Sequence, residues 1–338
     1  KGSIYILNTI NNEMEHKLDE IDKKLIYELG KNAKLTYKEI AKKIGSKTPV
    51  IAYRLQKLEK EGIIWKYVPI FSLSRLGIYA HKIYIKLHGL DKKEKESLVK
   101  DLVSNPRINW VAETIGSWDL LIGVYAENFI QFAQVKKDLF REYGKYFQDY
   151  AITLIEDALV FNRDYLTNSN ITYRKEFIFG GEPKKEKITD IQKEIIRKIK
   201  NDGRYKLTEL ADNLKINVRT IISNIKDLEK RGIIQGHTAF LNLQKTDFKL
   251  IKICIYFQNH TEEKQNEFVQ YCKQHPKVLH LIKSIGNWEL EVEIETEKLL
   301  EAYSFIEEIN TKFPNTVKKT DLIIFNSEVK LDFFPEWY

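Results

Sequence analysis

Near the start of the chain, apolar residues recur every three or four positions in three successive stretches, which predicts three short helices. Gly45 can provide a sharp turn before the third helix, and Gly62 ends that helix. Thr48 is its predicted N-cap, with Pro49 at the first helical position. Three helices with a tight turn before the last are typical of a helix-turn-helix domain, predicted here over residues 18–66.

Beyond residue 66 the pattern becomes one of strands alternating with helices. Ile83 and Ile85 alternate with polar positions that include Lys82, Tyr84, Lys86 and His88, which predicts a half-exposed strand. The other predicted elements are an edge strand or hinge over 65–71, a helix around 98–102, strands over 109–115 and 118–125, a helix over 128–143 and a strand over 150–161. After the hinge, the order β-α-β-β-α-β is that of a ferredoxin-like fold, predicted over 78–162.

The whole pattern occurs twice, at a spacing of 170 residues. The segment Leu58–Ile64 recurs as Leu228–Ile234, and Gly116–Leu120 recurs as Gly286–Leu290. A repeat this long excludes a short-period solenoid. The predicted fold class is α+β, with a helix-turn-helix domain (head) at 18–66 and at 188–236, a ferredoxin-like domain (tail) at 78–162 and at 248–335, and a linker at 163–187. Copy 1 is the first head and tail, and copy 2 is the second.

The segment that joins the copies contains two loop-forming sequences, Thr167–Asn170 and Gly180–Lys185. A short strand is predicted between them, over residues 173–179. Residues 1–13, before the single methionine Met14, form an extension outside both copies.

The composition, with 43% hydrophobic and 30% charged residues, is that of a globular protein. No apolar run approaches the ~18 residues of a spanning helix. Without a visible signal-peptide pattern, we expect a cytoplasmic protein with no membrane partner. Cys254 and Cys272 lack metal-site spacing and are predicted to be reduced core residues. No metal or cofactor is expected.

The net charge of +7 is concentrated in the first head. Residues 34–66 hold nine basic and three acidic side chains, whereas residues 204–236 hold seven and four. A small basic helical unit suits a polyanion such as double-stranded DNA. The alternative, considering charge alone, is a solvated lysine-rich surface.

The third helix of each head has an outward face that could enter the major groove of DNA, because its apolar face is directed to the core. The candidate DNA-binding residues of the first head are Ser46, Lys47, Thr48, Tyr53, Arg54 and Lys57. Those of the second head are Asn217, Arg219, Thr220, Ser223 and Asn224. Since Asn224 replaces Arg54, the second head should have a different base preference and weaker phosphate attraction, unless it is retained only for packing.

Two motifs resemble those of a known family. The pattern R-x-x-x-L-E-x-x-G-I-I spans Arg54–Ile64, and a G-x-aromatic-D-L hairpin spans Gly116–Leu120. Together they resemble the Lrp/AsnC (feast/famine) transcriptional regulators over about residues 18–165, and more loosely over 188–335. The resemblance implies that the tails oligomerise and bind a small effector, commonly an amino acid, near the hairpin.

By the same resemblance, the effector-binding role is assigned to Gly116, Trp118 and Asp119, and to Gly286, Trp288 and Glu289. Two features depart from the family pattern. Two fused copies are unusual, and tryptophan stands where a smaller aromatic residue is common. An alternative is that the glycines serve only hairpin geometry while both tryptophans pack in the core.

The sequence therefore predicts a sequence-specific DNA-binding transcriptional regulator, not an enzyme, built as a covalent pseudo-dimer. One alternative is an architectural, chromatin-like DNA-binding protein. Another is an enzyme similar to the sirohaem decarboxylases, which resemble the same family and also occur as fused pairs. Those enzymes need basic and histidine side chains in the tail cavity. Here the histidines are scattered, and surface or packing roles are expected for His81, His88, His260, His275 and His280.

Two arrangements of the tails are open from the sequence. The tails of one chain can pair with each other, or like tails can pair between chains of a homo-oligomer. We favour pairing within the chain, because a joint of about 26 residues gives the partner tail a high local concentration.

Overall fold

The computed structural model describes residues 17–167, 174, 176–182, 184–258 and 261–338. The extension over residues 1–13, the loop sequence Asn168–Asn170 and His260 lie outside the described residues.

Each head folds as its apolar periodicity predicts. The first head consists of α1 (Glu20–Lys31), α2 (Tyr37–Ile44) and α3 (Thr48–Lys60). The second consists of α6 (Asp190–Ile199), α7 (Leu207–Leu214) and α8 (Val218–Lys230). The predicted cap of α3 is wrong by one residue: Lys47 is the N-cap, without a side-chain cap, and Thr48 is already helical. In α8 the N-cap is Asn217, which accepts a hydrogen bond from the Arg219 backbone N–H.

A two-stranded antiparallel ribbon follows the heads. It pairs β1 (Ile64–Phe71) of copy 1 with β7 (Ile234–Leu241) of copy 2. The predicted extended segment with Pro69 is therefore a strand of this ribbon, with Pro69 opposite His237. The ribbon therefore joins the two copies by backbone hydrogen bonds.

Both tails have the predicted β-α-β-β-α-β order. Copy 1 contributes β2 (Tyr79–Leu87), α4 (Lys92–Ser104), β3 (Ile108–Gly116), β4 (Leu120–Ala126), α5 (Phe129–Tyr143) and β5 (Phe147–Phe161). Copy 2 contributes β8 (Lys249–Phe257), α9 (Glu262–Gln274), β9 (Val278–Gly286), β10 (Leu290–Thr296), α10 (Leu299–Lys312) and β11 (Val317–Leu331). Within the described residues, no helix combines the length and apolar character needed to cross a membrane.

The strands of the two tails close into one barrel. Neighbouring strands follow the order β2-β4-β3-β11-β8-β10-β9-β5, and β5 also pairs with β2. The copies meet at two seams, β3 with β11 and β9 with β5, where the long last strand of each tail reaches the other tail. In this structure the two tails of one chain pair with each other.

The outer face of the barrel carries the helices, and its inner face is a second core. Ile251, Ile253 and Ile255 of β8 pack beneath α9 and α10. The alternate position Cys254 faces inward, with Tyr84, Trp118 and Trp288. The prediction of a half-exposed β2 is wrong for its middle: Lys82 and Tyr84 are buried, because the sheet of copy 2 covers that face.

Each head packs on the other copy. The core of the first head includes Ala239, Leu241 and Phe248 of copy 2. The core of the second head includes residues of copy 1, namely Phe71, Leu73, Leu76, Ile78 and Tyr125. The two copies therefore share their hydrophobic cores at the heads as well as at the barrel.

The described residues of the joint contact both copies, since Arg174 donates to the Val278 carbonyl of copy 2 at 2.7 Å. The predicted strand is confirmed over β6 (Glu176–Gly180), which pairs with β5. The Ser74 hydroxyl donates to the Gly180 carbonyl at 2.5 Å, and the Glu186 backbone N–H donates to the Arg75 carbonyl at 2.8 Å. These contacts hold the described ends of this segment against copy 1.

Candidate nucleic-acid interface and hairpin sites

The recognition helix of the first head, α3, presents its candidate residues to solvent. Lys47, Thr48, Tyr53 and Lys57 are exposed, and Ser46 is half-buried. Tyr53 is 66% exposed, which is high for an aromatic ring on a helix whose opposite side is fully buried. Ile51, Leu55 and Leu58 form that buried side. The buried side fixes the helix while its polar side remains available for DNA.

Arg54 differs from the exposed candidates, because it is half-buried and bonded to acidic residues at the start of α1. Its guanidinium donates to the carboxylates of Asp19 and Asp22, the latter at 3.1 Å. The hydrogen bond to Asp19 raises the pKa of Arg54 above its usual value. Arg54 therefore fastens α3 to the start of α1. Acidic residues at the N-terminus of α1 were the signal in the sequence for this ion pair.

The candidate DNA-binding residues of the second head, on and beside α8, include one charged residue, whereas those of the first head include three. Asn217, Arg219 and Ser223 are exposed, whereas Thr220 and Asn224 are half-buried. The Asn224 amide donates to the Thr220 carbonyl of its own helix at 2.9 Å. The equivalents of Asp19 and Asp22 are Thr189 and Gln192, so the entire ion-pair set of the first head is neutral in the second.

The glycines of the hairpins lie at the seams of the barrel. A side chain at Gly116 would overlap the carbonyl oxygen of Leu322 in copy 2, and one at Gly286 would lie 2.5 Å from that of Ile152 in copy 1. Gly116 also has φ +124°, a conformation that L side chains rarely adopt. Close approach of the other copy's long strand therefore requires glycine at both positions.

The tryptophans of the hairpins face the barrel interior. Trp118 is 7% exposed and Trp288 is fully buried, and their ring centroids are 6.4 Å apart. Asp119 accepts hydrogen bonds from Lys86 Nζ and from the Leu87 backbone N–H, both at 2.9 Å. Glu289 accepts from the Phe257 backbone N–H at 3.2 Å. These acidic side chains thus bind each hairpin to the end of a neighbouring strand, β2 or β8.

The barrel interior also holds an ion cluster that the sequence reasoning missed. Glu291 accepts from Lys82 Nζ at 2.6 Å and from Lys252 Nζ at 2.7 Å. It also accepts from the Tyr84 hydroxyl at 2.7 Å and from Trp288 Nε1 at 3.1 Å. Burial would raise the pKa of Glu291, but the two lysines hold it at about 2. The available signal was Glu291, Glu293 and Glu295 alternating with apolar residues along β10.

The histidines within the described residues do not converge on one site. His81 is buried beside the Phe132 ring, and burial lowers its pKa to about 4. His275 packs against Phe305, whereas His280 contacts Glu293 and His88 is exposed. Cys254 and Cys272 are free and buried, as predicted. No cluster of potential metal ligands occurs among the described residues.

Comparison with known proteins identifies both heads. The family model for winged helix-turn-helix DNA-binding domains matches residues 18–64 and 188–235. An uncharacterized HTH-type transcriptional regulator of Pyrococcus horikoshii is 31% identical over 133 residues, which cover 38% of this chain and 87% of that protein. The HTH-type transcriptional regulator FL11 of the same organism is 33% identical over 115 residues, covering 34% of this chain and 75% of FL11.

Solved structures of one enzyme match nearly the whole chain. The siroheme decarboxylase NirDL superposes with a TM-score of 0.61 over 95% of this chain and 95% of its own, at 15% sequence identity. At this identity the likeness concerns the fold alone. The match of the relatives to a stretch about as long as one copy, together with the two motifs, shows that the chain belongs to the Lrp/AsnC family of HTH-type transcriptional regulators, in tandem form.

Proposed function

We propose that this protein is a sequence-specific transcriptional regulator whose two heads read different halves of one DNA operator. The observation that carries the proposal is the pair of recognition helices, each buried on one side and exposed on the side that bears the candidate contacts. The exposed side of α3 presents Lys47 and Lys57 beside Tyr53. That of α8 presents Asn217, Arg219 and Ser223 instead. Different side chains read different base edges.

The pairing of tails within one chain makes a single chain the pseudo-dimer. A two-fold symmetric regulator binds a pseudo-palindromic operator, with half-sites about one helical turn apart or a multiple of it. Here the unit that presents two heads is asymmetric, so we expect an asymmetric operator. Selection of DNA from a random library by the full chain, with the mass of the complex from light scattering, tests this. A palindrome bound by two chains through their first heads would contradict it.

We further propose that the hairpin region of the tails responds to a small effector such as an amino acid. The supporting features are the family resemblance of Gly116, Trp118 and Asp119 and the position of both hairpins at the seams between copies. A ligand bound there would act on the pairing of the copies. A thermal-shift screen of amino acids should find a stabiliser, by mass action on the folded state. An Asp119→Ala variant that responds as the natural chain does would contradict this site.

The salt dependence of DNA binding distinguishes a sequence-specific regulator from the architectural alternative. Non-specific binding arises almost entirely from counterion release, so an architectural protein would lose its affinity steeply with salt on every sequence alike. A sequence-specific regulator should retain a preference for its selected operator over competitor DNA at each salt concentration. Titration at several salt concentrations with both DNAs therefore distinguishes the two.

The fold shared with a siroheme decarboxylase makes catalysis the second candidate. The space between the sheets is occupied by aromatic rings in this chain: Tyr84 lies 4.7 Å from Trp288, centroid to centroid. We propose on this ground that the chain is not such an enzyme. Addition of sirohaem to the purified protein, followed by absorbance spectroscopy and product analysis, tests the point. Stoichiometric binding with loss of carboxylate would overturn it.

A further inference from the structure

The buried charges of the barrel come unequally from the two copies. Lys82 and Lys252 occupy equivalent positions, so each copy supplies one lysine. The acids Glu291 and Glu293 come only from copy 2, where copy 1 has Leu121 and Gly123. Lys82, Lys252, Glu291 and Glu293 are all buried. The barrel formed by unlike copies therefore holds two lysines and two carboxylates at this level, and His280 of copy 2 also contacts Glu293.

The contacts show that a charge of one copy is compensated by a charge of the other copy. Lys82 of copy 1 and Lys252 of copy 2 share the same Glu291 oxygen, and Lys252 also lies 3.2 Å from Glu293. Copy 1 has no acid equivalent to Glu291, and this absence changes the hydrogen bonding of its hairpin tryptophan. Trp288 Nε1 donates to Glu291, whereas the equivalent Trp118 Nε1 is buried and has no hydrogen-bond partner in the part of the chain that the structure describes.

A second buried ion pair has the same asymmetry. Arg163, at the end of β5 of copy 1, donates to both carboxylate oxygens of Glu295 of copy 2, at 2.7 and 2.8 Å. The Tyr165 hydroxyl also donates to Glu295. The position equivalent to Arg163 is Phe333, and that equivalent to Glu295 is Tyr125. Neither equivalent carries a charge, so this ion pair exists only where copy 1 meets copy 2.

Pairing of two like tails would disrupt both the lysine–glutamate cluster and the ion pair of Arg163 with Glu295. Two copies of the first tail would bury two lysines without either acid, and each Arg163 would meet a tyrosine. Two copies of the second tail would bury four of these carboxylates with two lysines, and each Glu295 would meet a phenylalanine. An uncompensated buried charge is strongly destabilising. We propose that these charges specify the partner of each tail, so that a copy 1 tail pairs only with a copy 2 tail and like tails of two chains are rejected.

The pairing can be read by crosslinking across a seam in the full chain. Ile115 is the register partner of Ile324, and the equivalent partner of Ile285 is Leu154. A chain with Ile115→Cys and Ile324→Cys therefore reports unlike pairing by a crosslink within one chain. A chain with Ile115→Cys and Leu154→Cys reports like pairing by a crosslink between two chains, because within one tail these positions lie on strands at opposite edges of the sheet. The natural chain, with Cys254 and Cys272 buried, is the background control.

The decisive variant moves one carboxylate from copy 2 to copy 1. The parent for the comparison is Arg163→Met with Glu295→Gln, which removes the second ion pair. Adding Leu121→Glu with Glu291→Leu leaves two lysines and two acids in the unlike barrel. It also gives two of each in both like barrels, because Glu293 remains in copy 2. The parent and the moved-acid variant have the same interior charge and differ only in which pairings are balanced.

Both proteins are unfolded, refolded over a range of chain concentrations and treated with a short bis-maleimide before denaturing electrophoresis. We expect the like-pairing reporter to give crosslinked dimer at high concentration in the moved-acid variant, at least ~10-fold above its parent. We expect the unlike-pairing reporter to give crosslinked single chains in both proteins at low concentration. Equal dimer fractions in the two proteins, including none in either, would overturn the proposal, since the tether alone would then select the partner.

Folding of the moved-acid variant is itself informative. If one carboxylate serves the lysines of both copies, Leu121→Glu should restore most of the melting temperature lost on Glu291→Leu alone. Failure to restore it would show that Glu291 acts only within copy 2 and would also overturn the proposal. Neither measurement involves DNA, so the result is independent of the proposed regulatory function.

Discussion

Strands β4 and β10 occupy equivalent places in the two copies, but they are alike on one face only. On the outer face Leu120, Ile122 and Val124 of β4 match Leu290, Val292 and Ile294 of β10, and all pack beneath helices of their own copy. On the inner face, β4 has the uncharged residues Leu121, Gly123 and Tyr125. At the equivalent positions β10 has the acidic residues Glu291, Glu293 and Glu295. Each outer face is constrained by its own copy, whereas each inner face is constrained by the other. The inner faces of the two copies are therefore complementary instead of identical.

The largest effect should come from removing the shared acid. Glu291→Leu gives β10 the residue of β4 and leaves Lys82 without its carboxylate and Lys252 with only Glu293. Loss of one partner of a buried ion pair costs about 3–5 kcal/mol. Urea denaturation of the full chain should show a loss of this size. The control Glu307→Leu, at an exposed position of α10, should change stability by less than ~0.5 kcal/mol. Equal stabilities of the two variants would show that Glu291 contributes no more to folding than an exposed residue does.

Lowering the pH should gradually remove the contribution of ionised Glu291 to the free energy of unfolding. The lysines hold the pKa of Glu291 at about 2, below the ordinary carboxyl value of 4.5, so Glu291 stabilises the folded state above pH 4.5. This contribution, roughly 3 kcal/mol for a shift of this size, is lost as the pH falls towards 2. The free energy of unfolding should therefore fall more steeply between pH 4.5 and 2 in the natural chain than in Glu291→Gln. Parallel curves would show that Glu291 is not held ionised by the cluster.

Substitution of the two hairpin glycines should have an intermediate effect on stability. Gly116→Ala and Gly286→Ala should each cost about 1–3 kcal/mol, because the added methyl group meets a backbone carbonyl of the other copy. Gly116→Ala should cost more, since its φ of +124° adds strain that Gly286 lacks. Gly89→Ala is the control for strain alone, because Gly89 has φ +69° and open space around it. If Gly286→Ala proved as mild as Gly89→Ala or milder, the seam would be looser than its geometry implies.

The smallest effect is expected at the heads. Lys47→Ala should weaken operator binding by about 1 kcal/mol and reduce its salt dependence, because an exposed lysine at the start of α3 is lost. Asn217→Ala at the equivalent position should cost less affinity, since no charge is removed. Lys92→Ala, on the tail and 93% exposed, controls for net charge alone. Fluorescence anisotropy at fixed salt measures all three, and a greater loss for Asn217→Ala would reverse the ranking of the heads.

Arg54 shows how one residue can mislead a reading of the recognition helix. It lies in the family motif on the outward side of α3, and a DNA contact is a natural prediction for it. The structure gives it Asp19 and Asp22 as partners, 35 and 32 residues earlier in the chain. The predicted DNA contact of Arg54 stays a prediction, but the residue also joins two helices. Such a contact depends on the angle between α1 and α3, which periodicity does not specify.

The sequence alone determined the local elements and the repeat. Helical and strand periods reflect which side of each element is buried, and the 170-residue spacing showed that two heads and two tails follow each other. Cores close to the elements in sequence, such as that of α1, α2 and α3, follow from this pattern. The predicted order β-α-β-β-α-β was confirmed for the same reason.

Only the tertiary structure decided what covers the second face of each sheet. Period-two alternation marks two faces of a strand but does not say that another sheet lies on the polar one, so Lys82 and Tyr84 were expected to be partly exposed. Closure of the barrel brings Lys82 to Glu291, 209 residues away, and turns charged positions into a buried, paired cluster. Neutralisation of Lys82 and Arg163 of copy 1 depends on Glu291 and Glu295 of copy 2, and that dependence lies in contacts distant along the chain.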